Sequence, residues 1–122
     1  MHLKFIYPRW GSSELPWPVF LNKIKKAGYQ GVEIDLPLNN NKKNEIASML
    51  KDLELDFVGQ HWETQEVNFA KHQEQYKRHL YNLVEANPLF VNSHTGMDFY
   101  TYAQNAALLK IAHEIEMETG VV

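Results

Sequence analysis

The feature that most constrains the fold is the regular alternation of short strand candidates with longer stretches of helical periodicity. The strand candidates are Leu3–Tyr7, Gly31–Leu36, Asp56–His61 and Leu89–His94. The segments that follow them repeat apolar residues at helical spacing. These residues are Val19, Phe20, Ile24 and Ala27; Ile46, Met49, Leu50 and Leu53; Phe69, Tyr76, Leu80, Leu83 and Val84; and Leu108, Ile111, Ala112 and Ile115. Strands that alternate with helices of this length predict βαβ units and a parallel sheet.

The order βαβαβαβα predicts an α/β fold in one domain, residues 1–122, with Val121–Val122 as the first residues of a fifth strand. Four βα units make half of an eight-stranded barrel, for which about 250 residues are typical. Three arrangements stay open at this point. In the first, the chain continues in the natural protein; in the second, two copies of the chain associate; in the third, the sheet is flat and doubly wound.

The composition argues against several functional classes. The chain has no cysteine, so it has neither a disulfide framework nor a thiolate metal site, which fits a reducing compartment. Its formal net charge of −3 provides no overall basic footprint for nucleic acid. No apolar run approaches the roughly 20 residues that span a bilayer. We therefore expect a cytoplasmic protein with no membrane partner.

Polar side chains recur on one face of the strand candidates, although parallel strands are usually apolar on both faces. Neighbouring side chains on a strand point to opposite faces, so Glu33 and Asp35 share a face. In the stretch FVNSHTGMDFY, Asn92 and His94 share a face where the fourth strand ends, and His61 ends the third strand. Ligands bind at the carboxyl ends of parallel strands. The pattern predicts a polar ligand site there, and a structural histidine hydrogen-bonded at a loop is the alternative.

The first loop, YPRWGSSELPWP, is rich in aromatic residues. Tyr7 and Trp10 lie between the first strand and the first helix, and Trp62 follows the third strand. The indoles of Trp10 and Trp62 suit the wall of a sugar site, because apolar ring faces pack against the C–H surface of a pyranose; packing within the core is the alternative. Arg9 suits a phosphate or carboxylate, or it only solvates the loop.

Three segments, MHLKFIYPRWG, AGYQGVEIDLP and VNSHTGMDFY, resemble the xylose isomerase-like TIM barrels. These include sugar and sugar-phosphate isomerases and epimerases, and the apurinic-site endonucleases. The resemblance covers the whole chain as a (βα)4 N-terminal half of a TIM (β/α)8 barrel that ends at the start of strand five. It implies a divalent metal, Mn, Mg, Co or Zn, which polarises sugar oxygens while carboxylates move a proton, or assist a hydride shift, between adjacent carbons. Because the family's carboxylate ligands usually come from strands five to eight, this chain alone is expected neither to bind the metal fully nor to be active.

The resemblance indicates Glu33 and His94 as catalytic residues, with a substrate-binding wall beside them. That wall comprises Tyr7, Arg9, Trp10, His61, Trp62 and Asn92. In the endonuclease-like members, histidines that end strands three and four bind zinc, and His61 and His94 match those positions. Met97 stands where close relatives carry a basic residue, as in an HTGRD run, and this departure argues against substrate anchoring at that loop.

Three functional hypotheses follow. The leading one is a sugar isomerase or epimerase, here its N-terminal half, whose partner is a small-molecule sugar or sugar phosphate. The second is a DNA-repair nuclease of the same fold, against which the negative charge and the lack of a basic loop argue. The third is a non-catalytic half-barrel that forms a homodimer through its open sheet edges.

Overall fold

Four parallel strands form one open sheet in the order β1-β2-β3-β4, and each strand is followed by a helix. The computed structural model describes residues 1–122. The strands are β1 (Ile6–Pro8), β2 (Gly31–Ile34), β3 (Asp56–His61) and β4 (Val91–Ser93), and the helices are α1 (Trp17–Lys26), α2 (Asn40–Asp52), α3 (Phe69–Val84) and α4 (Tyr102–Thr119). The predicted α/β class with a parallel sheet is confirmed, and the arrangement is consistent with a (βα)4 half-barrel.

The apolar core lies between the sheet and the helices. Connections between parallel strands are right-handed in about 98% of cases, so consecutive neighbouring strands receive all their helices on one face. The main cluster joins α1, α2, β2, β3 and the end of α3, and its members are Phe20, Leu21, Ile24, Val32, Ile34, Leu36, Ile46, Leu50, Leu55, Phe57 and Leu83. Helices therefore cover one face, whereas a doubly wound sheet carries them on both.

A second apolar cluster joins α3 to α4. It consists of Tyr76, Leu80, Val84, Tyr100, Leu108 and Ile115. The helix α4 begins with a capping box, in which the Thr101 side chain accepts from the Gln104 backbone N–H and the Gln104 side chain accepts from the Thr101 N–H. None of the four helices combines the length and the apolar character that crossing a membrane requires.

The sheet's face without helices is polar. The register pairs Glu33 with Val58 and Gln60 with Asn92. Since cross-strand partners share a face, these four side chains lie on the side opposite the helices. This face carries the polar side chains of Glu33, Gln60 and Asn92 on three neighbouring strands.

The strand boundaries differ modestly from the predicted ones. The strand β3 spans Asp56–His61 as predicted, whereas β1 begins at Ile6 instead of Leu3. Backbone hydrogen bonds on the β3 side of β4 extend from Leu89 to His94, beyond the three residues of the regular strand. The sequence pattern therefore located the strands. Their observed ends differ from the predicted ones because the last residues of a strand form backbone hydrogen bonds with a neighbouring strand on one side only.

The last residues of the chain lie beside the free edge of β4. The Val91 N–H donates to the Val122 carbonyl over 2.7 Å. This is the edge at which a fifth parallel strand would pair, although Val121 and Val122 form no regular strand. Val121 and Val122 therefore lie where a fifth strand is expected, but they do not form the regular ladder of backbone hydrogen bonds that defines a strand.

Candidate functional site

A polar cavity of about 550 Å³ lies at the carboxyl ends of the strands. We call it the tryptophan cavity. It is lined by Arg9, Trp10, Gly11, Ser13, Asp35, Gln60, Trp62, Gln65 and His94. Four of the residues expected in a site, namely Arg9, Trp10, Trp62 and His94, meet here. They meet because each follows the end of a strand in a parallel sheet, where those ends share one edge.

The two indoles are the largest apolar surfaces of the cavity. Trp10 and Trp62 are 65% and 47% exposed. The Trp10 Nε1–H donates to Oε1 of the buried Gln60 over 2.9 Å, which holds the indole over the floor of the cavity. Exposed indole faces with a fixed orientation suit a flat, partly apolar ligand better than they suit the core.

A hydrogen-bonded pair, Glu33 and Asn92, lies one layer below the cavity. The Asn92 Nδ2–H donates to Glu33 Oε1 over 2.9 Å, and the bond spans β3 because β2 and β4 flank it. Neither residue lines the tryptophan cavity. The carboxylate on its wall is that of Asp35, which lies two residues further along the chain, about 7 Å along an extended strand.

His61 and Asn92 lie on opposite faces of the sheet, so they do not line one polar face together. The register pairs His61 with Ser93 and not with Asn92, and its side chain therefore points to the helices. His61 is fully buried, with Nδ1 2.9 Å from Ser93 Oγ and Nε2 2.7 Å from Thr64 Oγ1. The alternation of side chains along a strand assigns its residues to two faces. Only the register between strands shows which face of one strand lies on the same side of the sheet as a given face of the next.

The surroundings of His61 favour the neutral imidazole. Its pKa is lowered from 6.5 to about 4, chiefly by burial and to a smaller extent by the neighbouring His79, His72 and His94. Its ring packs edge-on against Tyr76, with centroids 5.3 Å apart. Hydroxyl groups both donate and accept, so the neutral ring satisfies Thr64 and Ser93 at once. His61 is therefore a satisfied histidine of the helix layer.

A zinc ion held by His61 and His94 does not fit this arrangement. Both ring nitrogens of His61 are hydrogen-bonded to hydroxyl groups, and a metal would have to displace one of them. No group of three or more His, Cys, Asp and Glu side chains lies close enough together to hold a metal ion. The divalent metal that the family resemblance implies stays a prediction.

Tyr7 also lies outside the cavity. Its ring packs against Phe20 and Tyr29, with centroids 6.2 and 5.2 Å away, on the helix side of the sheet. The alternation of side chains along β1 accounts for this, since Tyr7 pairs in register with the buried Val32. Tyr7 therefore supports the first loop from below.

Arg9 joins the first loop to the cavity wall. Its guanidinium lies 3.7 Å from the centroid of the Trp17 ring, and Nη2 donates to the carbonyls of Leu15 and Ser13 over 3.0 and 3.3 Å. Its Nη1 is buried without a hydrogen-bond partner. Burial lowers the pKa of Arg9, and the negative charges of Asp35 and Glu14 partly oppose this. The group stays charged, because an arginine pKa begins far above neutrality.

The loops after β3 and β4 are tied together beneath Trp62 and His94. The fully buried His72 places Nδ1 3.3 Å from the Glu66 carbonyl and Nε2 3.2 Å from the Thr95 carbonyl. The Tyr100 hydroxyl donates to the same Glu66 carbonyl. These contacts connect the two loops that carry Trp62 and His94.

Neither a scan against protein-family models nor a search of curated proteins finds a match to this chain. The resemblance to the xylose isomerase-like barrels therefore stays a prediction that rests on the three quoted segments.

Sequence reasoning did not nominate five residues of the cavity wall, namely Gly11, Ser13, Asp35, Gln60 and Gln65. Asp35 was recognised on the polar face but given no role. Gln60 was not considered, because His61 beside it was taken as the residue of β3 that faces the site. The sequence of β3 alone does not distinguish its two faces, because the apolar residues Phe57 and Val58 point to opposite faces and both are buried.

Proposed function

We propose that this chain forms the sugar-binding wall of a sugar or sugar-phosphate isomerase or epimerase, and that the sugar binds in the tryptophan cavity. The observation that carries the proposal is one cavity wall with two exposed indoles, a buried amide, a carboxylate and an imidazole. Indole faces pack against the C–H surface of a sugar ring, while amides and carboxylates bind its hydroxyl groups. A cytoplasmic location remains part of this proposal.

Asp35 and His94 supply the carboxylate and the imidazole of this wall, the two kinds of side chain that serve most often in proton transfer. In an isomerisation or epimerisation by proton transfer, a base removes a proton from the carbon beside a carbonyl, and the proton returns to a neighbouring carbon or to the opposite face. We assign the base to Asp35, whose carboxylate forms no salt bridge within the chain. His94 exchanges a proton with the sugar oxygen. Glu33, the carboxylate favoured by the resemblance, lies below the cavity and orients Asn92.

Sugar binding is tested by titration calorimetry with xylose, glucose, fructose and ribose 5-phosphate. We expect at least one of them to bind, and we expect Trp62→Ala to weaken its binding about tenfold or more, since truncating a tryptophan that anchors a ligand costs about 2 kcal/mol or more. The matched control is Tyr102→Ala, because Tyr102 is 90% exposed on α4. If no sugar binds, or if Trp62→Ala binds as tightly as the parent chain, the proposal is wrong.

Proton transfer is tested separately from binding. A sugar that binds is incubated with the protein in D₂O, and slow exchange of its C–H protons, a partial reaction that requires only the base and not the complete enzyme, is followed by proton NMR. The Asp35→Asn variant should bind the same sugar with similar affinity and lose the exchange. Exchange that persists in Asp35→Asn and disappears in Glu33→Gln would move the base to Glu33.

The nuclease alternative has no specific structural support here, because its zinc ligand His61 is turned to the helix layer. Cleavage of abasic-site DNA in the presence of added zinc remains the direct assay. Robust cleavage that His94→Ala abolishes would replace the sugar proposal.

A further inference from the structure

A second cavity, of about 620 Å³, adjoins the tryptophan cavity on the side of α1 and α2. We call it the proline cavity. Its apolar wall includes Pro16, Trp17, Pro37 and Met49, and its charged rim includes Lys42 and Glu45. The proposal above uses none of these six residues. The cavity is therefore a feature of the carboxyl-end surface that a single bound sugar ring does not explain.

The two cavities meet at a shared wall. Arg9, Ser13 and Asp35 line both of them. At this junction Arg9 Nη1 is buried with no hydrogen-bond partner, although donors of this kind are almost always paired. The Asp35 carboxylate, an acceptor, lies within the electrostatic reach of Arg9. A donor and an acceptor at the seam of two cavities suit a ligand that passes from one cavity into the other.

Size argues for a ligand with two parts. Pockets of about 300–1,000 Å³ hold drug-sized ligands, and each cavity alone is within this range. One sugar ring is smaller than such a ligand, so a monosaccharide in the tryptophan cavity leaves the adjoining volume to water. A ligand that fills both cavities buries more surface than a single ring does. It loses its translational and rotational freedom only once, whereas two separate ligands would each lose theirs.

The chemistry of the proline cavity also fits a sugar ring. A pyranose has an apolar face of C–H groups and an edge of hydroxyl groups. The proline, tryptophan and methionine side chains offer an apolar wall, while Lys42 and Glu45 offer a donor and an acceptor at the rim. We propose that the proline cavity is a second sugar subsite, so that the ligand class is a disaccharide or glycoside held across Arg9 and Asp35. This inference rests on the proposed function, because it takes the first ring to bind in the tryptophan cavity.

The test compares monosaccharides with their disaccharides on the full chain. Glucose and galactose are titrated by calorimetry beside maltose, cellobiose and lactose. We expect at least one disaccharide to bind about tenfold or more tightly than its constituent monosaccharides. The variant Glu45→Phe adds bulk to the proline cavity from an exposed position of α2. It should reduce the affinity for that disaccharide to the monosaccharide level and leave the monosaccharide affinity unchanged.

The matched control is Glu74→Phe, the same exchange at an exposed position of α3 that lines neither cavity. It should leave all affinities unchanged. Equal affinities for monosaccharides and disaccharides, or a disaccharide affinity that Glu45→Phe does not alter, would overturn the second subsite and leave the proposed function intact. Failure of every sugar to bind would overturn both, and the monosaccharide titration of the parent chain separates these two results.

Discussion

At the scale of single residues, histidines with the same chemistry take different roles because their surroundings differ. His61 is fully buried between two hydroxyl groups, whereas His94 is exposed on the cavity wall. A neutral imidazole is stable in the first position, while the second leaves the ring nitrogens open to a ligand. Burial and partners, and not residue type, distinguish a supporting histidine from a candidate catalytic one.

The buried His61 predicts a stability that is lost in acid. Its pKa is about 4 in the folded chain and 6.5 when unperturbed, so the unfolded chain binds its proton more tightly. The free energy of unfolding should therefore be constant above about pH 6.5 and fall as the pH decreases towards 4. The free energy of unfolding should decrease by roughly 3 kcal/mol at most through this one group. Urea denaturation at several pH values between 7.5 and 4 measures it.

Two variants isolate the contribution of His61 from that of other titrating groups. His61→Gln retains hydrogen-bonding capacity and should flatten the pH dependence over this range, whatever its effect on absolute stability. His2→Gln, at an exposed position before β1, should leave the dependence as it is in the parent chain. A pH profile of His61→Gln with the parent's slope would show that another group causes the loss.

At the scale of elements, the helices begin where side chains satisfy their free backbone N–H groups. Asn39 caps α2, Asn68 caps α3 and Thr101 caps α4. The helix α1 differs, because it follows Pro16 with no capping side chain and carries a proline in its first turn. Each start lies just after a loop at the carboxyl ends of the strands, so the caps also hold the loops that line the cavities.

The capping box of α4 predicts a measurable stability difference. Thr101→Ala removes the acceptor of the Gln104 N–H and should lower the free energy of unfolding by about 1 kcal/mol. Thr101→Ser keeps the hydroxyl and should stay close to the parent chain. Equilibrium urea denaturation of the three chains checks this. Equal losses in both variants would point to the threonine methyl group as the stabilising part.

At the scale of the whole molecule, the sheet is open and its concave side lacks a layer of helices. The outer edge of β1 has no neighbouring strand. Leu3 and Phe5, just before β1, are 67% and 59% exposed. Unpaired strand edges next to exposed apolar side chains favour association with another chain.

We therefore propose that two copies associate through this edge, and we expect light scattering at increasing concentration to detect a dimer. Phe5→Lys should shift the population towards the monomer, because a charge beside an edge strand opposes pairing. Met117→Lys is the control, since Met117 is 73% exposed on α4, away from β1. A parent chain that stays monomeric at all concentrations would contradict this prediction.

Much of the fold was predictable because its signals are local. Helical periodicity identified all four helices, and the boundaries of β3 were exact. The aromatic first loop and the NSHTG segment indicated the end of the sheet at which Arg9, Trp10, Trp62 and His94 meet. These inferences need only the neighbours of a residue along the chain, and tertiary contacts did not override them.

The composition of the cavity wall was decided by register between strands, which no single segment encodes. Pairing Gln60 with Asn92 turns Gln60 towards the open face and His61 towards the helices. The alternation of side chains along β3 permits either residue to face the helices, because it places Gln60 and His61 on opposite faces without showing which face packs against them. The helices resolve the choice by packing on the face of Phe57, since burying its apolar ring there leaves the amide of Gln60 to meet Trp10.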